Sequence, residues 1–124
     1  YSSIDAVLVK RAVKDYVLVV KDNTRNCRDI KVAFGESPTG PFGPTSEAFT
    51  PEFCEGPTVA KVGDEYYIYY DAYREKKFGA MKTKDFISFT DETDNISMPE
   101  GHKHGTIFKA PAFVVANLIR NQNK

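Results

Sequence analysis

Three titratable side chains stand out by type and by spacing. Glu55 lies within Phe53-Cys54-Glu55-Gly56-Pro57-Thr58, a carboxylate among small, apolar and turn-forming residues just ahead of a strand-like run. Asp5 sits between Ile4 and Ala6 and ahead of Val7-Leu8-Val9, and His104 opens the stretch His104-Gly105-Thr106-Ile107-Phe108. Carboxylates and an imidazole hold and move protons, so gathered at one place they would equip a site for general acid–base chemistry. Taken singly, an Asp or Glu before a strand is ordinarily a solvated turn residue. Whether the chain gathers them depends on the elements that carry them.

Those elements read as strands. Residues 6–10, 16–20, 30–34, 57–62, 65–70 and 78–82 are short runs rich in β-branched or aromatic residues, separated by turn formers such as Lys21-Asp22-Asn23 and Val62-Gly63-Asp64. No helical stretch separates them, which excludes a parallel βαβ sheet. Near the end, Pro111 through Asn121 reads as a short helix with an apolar stripe of Phe113, Val114, Val115, Leu118 and Ile119.

The strands repeat. A shift of 50 positions lays Asp5–Asp22 without a gap on Glu55–Ala72, so that acid meets acid, Val9 meets Val59 and Tyr16 meets Tyr66. After a three-residue slip, Val32-Ala33-Phe34 falls on Gly79-Ala80-Met81, and a third start appears at His104, 49 residues after Glu55. The chain thus carries about two and a half units of roughly 50 residues, each with three strands and room for a fourth. Four antiparallel strands in a unit of that length is the pattern of a propeller blade, and a β-sandwich with two similar halves can imitate it. The expectation is therefore an all-β, partial β-propeller of about two and a half four-stranded blades with a short C-terminal helix. It forms a single domain over residues 1–124, with blades at about 4–53 and 54–103 and a half blade plus helix at 104–124. In a propeller the first strands line one channel, so Asp5, Glu55 and His104, at one phase of the repeat, would converge on its mouth.

The rest of the composition narrows the options. Seventeen basic and seventeen acidic residues cancel and gather on no one stretch, which argues against a nucleic-acid partner. No apolar run is long enough to cross a bilayer, and the opening residues lack the charged start and apolar middle of a secretory signal. Cys27 and Cys54 read as two ordinary thiols or a single bridge, too few for a disulfide framework and wrongly spaced for zinc. His102 and His104 at alternate positions are a weak zinc signal, and His104 gains weight only from its place in the repeat. The run Tyr66-Tyr67-Ile68-Tyr69-Tyr70 is most simply a middle strand packed on both faces. Phe53 and Tyr73, close to the expected mouth, read first as packing residues, with stacking on a sugar ring as the alternative.

Together, Ile4-Asp5-Ala6, Glu55-Gly56-Pro57-Thr58, the tyrosine run, Phe78-Gly79-Ala80-Met81 with Lys84-Asp85-Phe86, and His104-Gly105-Thr106 resemble the C-terminal half of a glycoside hydrolase family 43 enzyme. Any one of these motifs is common; their order and spacing across nearly the whole chain carry the resemblance. It implies a five-bladed propeller that cleaves arabinose-, xylose- or galactose-containing glycans with inversion. By position, Glu55 resembles the general acid, Asp5 the acid that tunes and orients it, and His104 the axial histidine facing a metal ion, commonly calcium. Polysaccharide substrates would place such an enzyme outside the cytoplasm or in a periplasm.

That chemistry requires an acid still protonated near neutral pH. Apolar neighbours and a second carboxylate at Asp5 are expected to raise the pKa of Glu55. Inversion also requires a carboxylate base on the far side of the sugar, which in the family precedes the Asp5 motif. The sequence therefore reads as a fragment bearing the acid but not the base, inactive alone or completed by self-association or by a missing propeller segment. The rival reading is a non-catalytic, carbohydrate-binding β-sandwich module; a purely structural domain that binds no sugar is the other.

Overall fold

The computed structural model describes residues 2–122. Two antiparallel sheets account for most of it. The first has β1 (Ser3–Ala12), β2 (Asp15–Asp22) and β3 (Asp29–Gly35) in that order; the second has β4 (Cys54–Val62), β5 (Glu65–Ala72), β6 (Lys77–Thr83) and the short β7 (Thr90–Asp91). One helix, α1 (Ala112–Gln122), ends the described chain.

Period-two patterning builds the sheets. On β2, Val17 and Val19 point inward with no exposed surface, facing Val9 and Val7 on one side and Phe34 and Val32 on the other. On β5, Tyr66, Ile68 and Tyr70 also point inward and are buried. These inner faces meet in one core with Ile30, Val32, Cys54, Met81 and Phe86, and each large side chain buried there contributes about 1.5–3 kcal/mol. Both β1–β2 and β4–β5 turn through two residues, with Lys14 and Gly63 in the left-handed region that such tight hairpins need. Arg11 ties the sheets at their outer end: it pairs with Asp15 at 2.8 Å, donates to the Asp85 carbonyl at 3.0 Å and lies over the Phe34 and Phe86 rings.

The outer edge of the first sheet is finished without a fourth strand. Backbone amides of Gly43, Ser46 and Phe49 donate to the carbonyls of Phe34, Val32 and Ile30, while the amides of Val32 and Ile30 donate to the hydroxyls of Ser46 and Thr50. Pro41 and Pro44 have no N–H to give, so this segment cannot form a regular ladder and hydroxyl groups take over. In the second sheet β7 covers the same edge by pairing with Met81 and Lys82.

Three expectations need correction. The first unit has three strands, and the stretch from His104 onward forms no strand among the described residues, so one of the expected units is a four-stranded sheet and the structure shows no closure into a propeller. The third strands align with a slip of two residues instead of three: Val32 lies opposite Val19 as Ala80 lies opposite Tyr69. The first strands do not align without a gap either. Bulges between Ile4 and Val7 and between Glu55 and Thr58 are joined in β1 by a further one near Arg11, which makes Leu8, not Val9, the counterpart of Val59. The helix forms as expected, but none of its residues is buried, and Phe113, Leu118 and Ile119 face solvent. No helix among the described residues is long and apolar enough to cross a membrane.

Candidate functional site

The two bulges shape the rim. At the first, Asp5 takes a positive φ of 54°, tolerable for Asp; at the second, Gly56 takes 57°. In cross-strand register Ile4 faces Lys21 and Glu55 faces Asp71, so Asp5 is the counterpart of Gly56 and Glu55 that of Ile4. The acids therefore come from adjacent positions of the repeat and not from one. They meet all the same, because the Gly56 amide donates to Asp5 Oδ2 at 3.1 Å and draws β4 against β1. Only glycine fits at 56: a methyl group there would stand 2.7 Å from the His104 ring.

Glu55 is gripped at both oxygens. The Lys21 ammonium lies 2.7 Å from Oε2, and His104 Nε2 lies 3.2 Å from Oε1. An oxygen each from Asp5 and Glu55 and a ring nitrogen of His104 fall within 4.8 Å of one another. Among the described residues no other three His, Cys, Asp or Glu side chains come so close. Asp5 and His104 also border an open depression of about 370 Å³ with Ala6, Pro57 and Thr106.

The charge state differs from expectation. Burial pushes the Glu55 carboxyl up, but hydrogen bonds from Lys21 and His104 outweigh it and hold the group below its ordinary value. Glu55 is an ionised acceptor here. Asp5, expected to repel it, is engaged with the Gly56 amide.

Phe53 and Tyr73 adjoin this cluster. Their rings meet edge-on at 6.2 Å, the Arg74 guanidinium covers Phe53 at 3.4 Å, and Lys21 lies 5.1 Å from the centre of the Tyr73 ring. One face of each ring is thus occupied by a cation, and the Tyr73 hydroxyl is buried without a hydrogen-bond partner. Asp71, directly across from Glu55, is likewise buried with Oδ2 unpartnered. His102 stays apart, exposed, beside the Glu100 carbonyl at 3.3 Å.

Calcium fits this donor set poorly. The ion takes six to eight oxygen ligands, whereas both Glu55 oxygens are engaged by cationic or hydrogen-donating partners and the third ligand is a nitrogen.

Sequence reasoning missed Lys21. It closes an apolar strand and reads as the first residue of a turn, yet its side chain is 3% exposed. The available signal was the repeat itself, which sets Lys21 over Asp71, opposite charges at one phase beside a glutamate.

No family model, curated protein or solved structure matches this chain.

Proposed function

We propose that this chain is the acid-bearing part of an inverting glycosidase of the family 43 type, with Glu55 as proton donor to the glycosidic oxygen, Asp5 as the group that fixes its surroundings and His104 as a rim contact to sugar. The observation that carries the proposal is convergence: Asp5, Glu55 and His104, some 50 residues apart in sequence, bring their functional atoms within 4.8 Å.

The ionised state of Glu55 in the free chain is compatible with this role because an inverting acid must be reprotonated in every cycle. A sugar seated on the rim excludes water and separates the half-exposed His104 from Oε1. Both changes push the carboxyl upward, leaving Lys21 to oppose them. The proton then passes from Glu55 to the leaving oxygen as the bond to the anomeric carbon breaks. The base that activates water belongs on the opposite face, about 6.5–9.5 Å from the acid in inverting enzymes. In this proposal another segment of polypeptide supplies it, as one in a row of propeller blades.

The rival sandwich module keeps its sheets about 10 Å apart face to face. Cα atoms of β4 instead come within 8 Å of β1, β2 and β3, and the Gly56–Asp5 bond joins the two first strands, which favours blades fanning from an inner edge.

Azide tests the assignment, because as an anion it attacks the anomeric carbon without a base. The 124-residue chain should hydrolyse xylo- and arabino-oligosaccharides no faster than background, yet with azide form the glycosyl azide of inverted configuration, detected by NMR. Glu55→Gln should abolish that product. Robust hydrolysis by the chain alone would refute the missing base, and azide product undiminished by Glu55→Gln would remove Glu55 from the acid role.

A further inference from the structure

The donor set that suits calcium poorly suits a different ion well. Two carboxylates and one imidazole make a short, mixed set of oxygen and nitrogen, whereas calcium wants six or more oxygens. Zinc and its neighbours in the first transition row accept nitrogen and carboxylate oxygen together, and zinc is satisfied by three protein ligands and a water. From this we infer that Asp5, Glu55 and His104 form a binding site for a divalent ion of the zinc type, with its fourth position open to solvent.

The spacing is close to what such an ion requires. Zinc bonds of about 2.0–2.2 Å set tetrahedral ligand atoms about 3.3–3.6 Å apart. His104 Nε2 and Glu55 Oε1 already stand 3.2 Å apart, and all three donor atoms lie within 4.8 Å of one another, so the closure still needed is at most about 1.5 Å. The half-exposed imidazole, neutral and with its proton on Nδ1, trades its contact with Oε1 for a shared metal. Groups behind the ligands hold them in place. Lys21 keeps Glu55 Oε2 at 2.7 Å and leaves Oε1 to the ion, while the Gly56 amide fixes Asp5 Oδ2 at 3.1 Å and the other Asp5 oxygen accepts no hydrogen bond from the described residues. The depression bordered by Asp5, His104 and Thr106 gives room for the water. Two carboxylates and one ammonium leave a net negative charge to face the cation. The site stands whether or not the chain is a glycosidase; on the reading of Glu55 as proton donor, the bound ion would tie that donor up.

Calorimetric titration of zinc ion into the 124-residue chain tests the inference. One ion should bind per chain, and calcium at the same concentration should neither bind nor compete. Asp5→Asn, which keeps a residue type tolerant of the positive φ there, and His104→Gln should each weaken binding by more than the roughly 10–100-fold that loss of an outer partner costs. His102→Gln and Cys27→Ser remove the exposed imidazole and the partly exposed thiol that zinc would otherwise seek, and both should bind as the wild type does. In the wild-type chain the imidazole nitrogen resonances of His104 should move on adding zinc far more than those of His102, a readout independent of whether any variant folds. Absence of binding, displacement by calcium, or a His104 ring unmoved by the ion overturns the inference. Binding that survives Asp5→Asn and His104→Gln, or is lost with His102→Gln or Cys27→Ser, overturns it as well.

Discussion

Replacing Lys21 by methionine keeps the length of the side chain and removes its charge. The Glu55 carboxylate then retains His104 on one oxygen and loses its 2.7 Å partner on the other. Hydrogen bonds to charged groups are worth about 1.5–3 kcal/mol, and stripping one partner from a fully buried pair costs about 3–5 kcal/mol. The Glu55 side chain is 26% exposed, so water recovers part of that, and a loss of about 2 kcal/mol at neutral pH follows. The pH dependence gives the sharper test. In the wild type the Glu55 pKa is held below its ordinary 4.5, so its contribution is present above that value and disappears as pH falls through the lower, folded-state pKa. In Lys21→Met burial is less opposed, the shift moves upward, and the variant tends to lose stability as pH rises above 4.5. Urea unfolding measures both. With a slope near 2 kcal/mol per molar, the variant's midpoint should lie about 1 M below wild type at neutral pH, and the gap should narrow well below pH 4.5. Adding Glu55→Gln to Lys21→Met should recover part of the loss at neutral pH, since no unpaired charge then remains. A gap that is constant with pH, or below about 0.5 kcal/mol throughout, would refute the view that the ammonium sets the ionisation of Glu55.

Two further outcomes follow from packing. Gly79→Ala should cost about 1–3 kcal/mol in urea or thermal unfolding, because its methyl would overlap the buried Tyr70 ring; an unchanged midpoint would place that ring elsewhere. Cys54 is fully buried, and burial pushes its thiol up to about 11, whereas Cys27 is partly exposed, so a thiol reagent should titrate one cysteine in the native state and two in urea.

Much of the fold was legible because strands announce themselves locally. Tyr16-Val17-Leu18-Val19-Val20 and Tyr66-Tyr67-Ile68-Tyr69-Tyr70 declare strands by their β-branched and aromatic composition, and Gly63-Asp64 declares a turn. The repeat was visible for the same reason. Its fine register was not, since a bulge inserts a residue into one strand without changing its composition, and an ungapped comparison therefore matched Asp5 with Glu55 where the pairing matches Asp5 with Gly56. Sequence reasoning left room for a fourth strand in the first unit and passed over Pro41 and Pro44, which cannot donate to a ladder, and the hydroxyl bonds that take its place depend on Ser46 and Thr50 reaching particular amides. The meeting of Asp5, Glu55 and His104 was read from a shared repeat phase that the pairing does not bear out, since the acids sit at adjacent positions and His104 opens no strand; the charge state of Glu55 was not legible at all. Apolar neighbours in sequence argued for a raised pKa, while the ammonium that reverses it comes from 34 residues upstream. Local composition sets the desolvation of a carboxyl, and long-range topology sets its partners.

The hydroxyl-finished edge of β3 also orders events in time. Among the described residues every hydrogen-bonded backbone partner of the first sheet lies before residue 51, so the whole of that sheet is synthesised ahead of Glu55. Its inner face nevertheless waits for Tyr66, Ile68 and Tyr70 to close the shared core, so Lys21 meets its glutamate only as the two sheets come together.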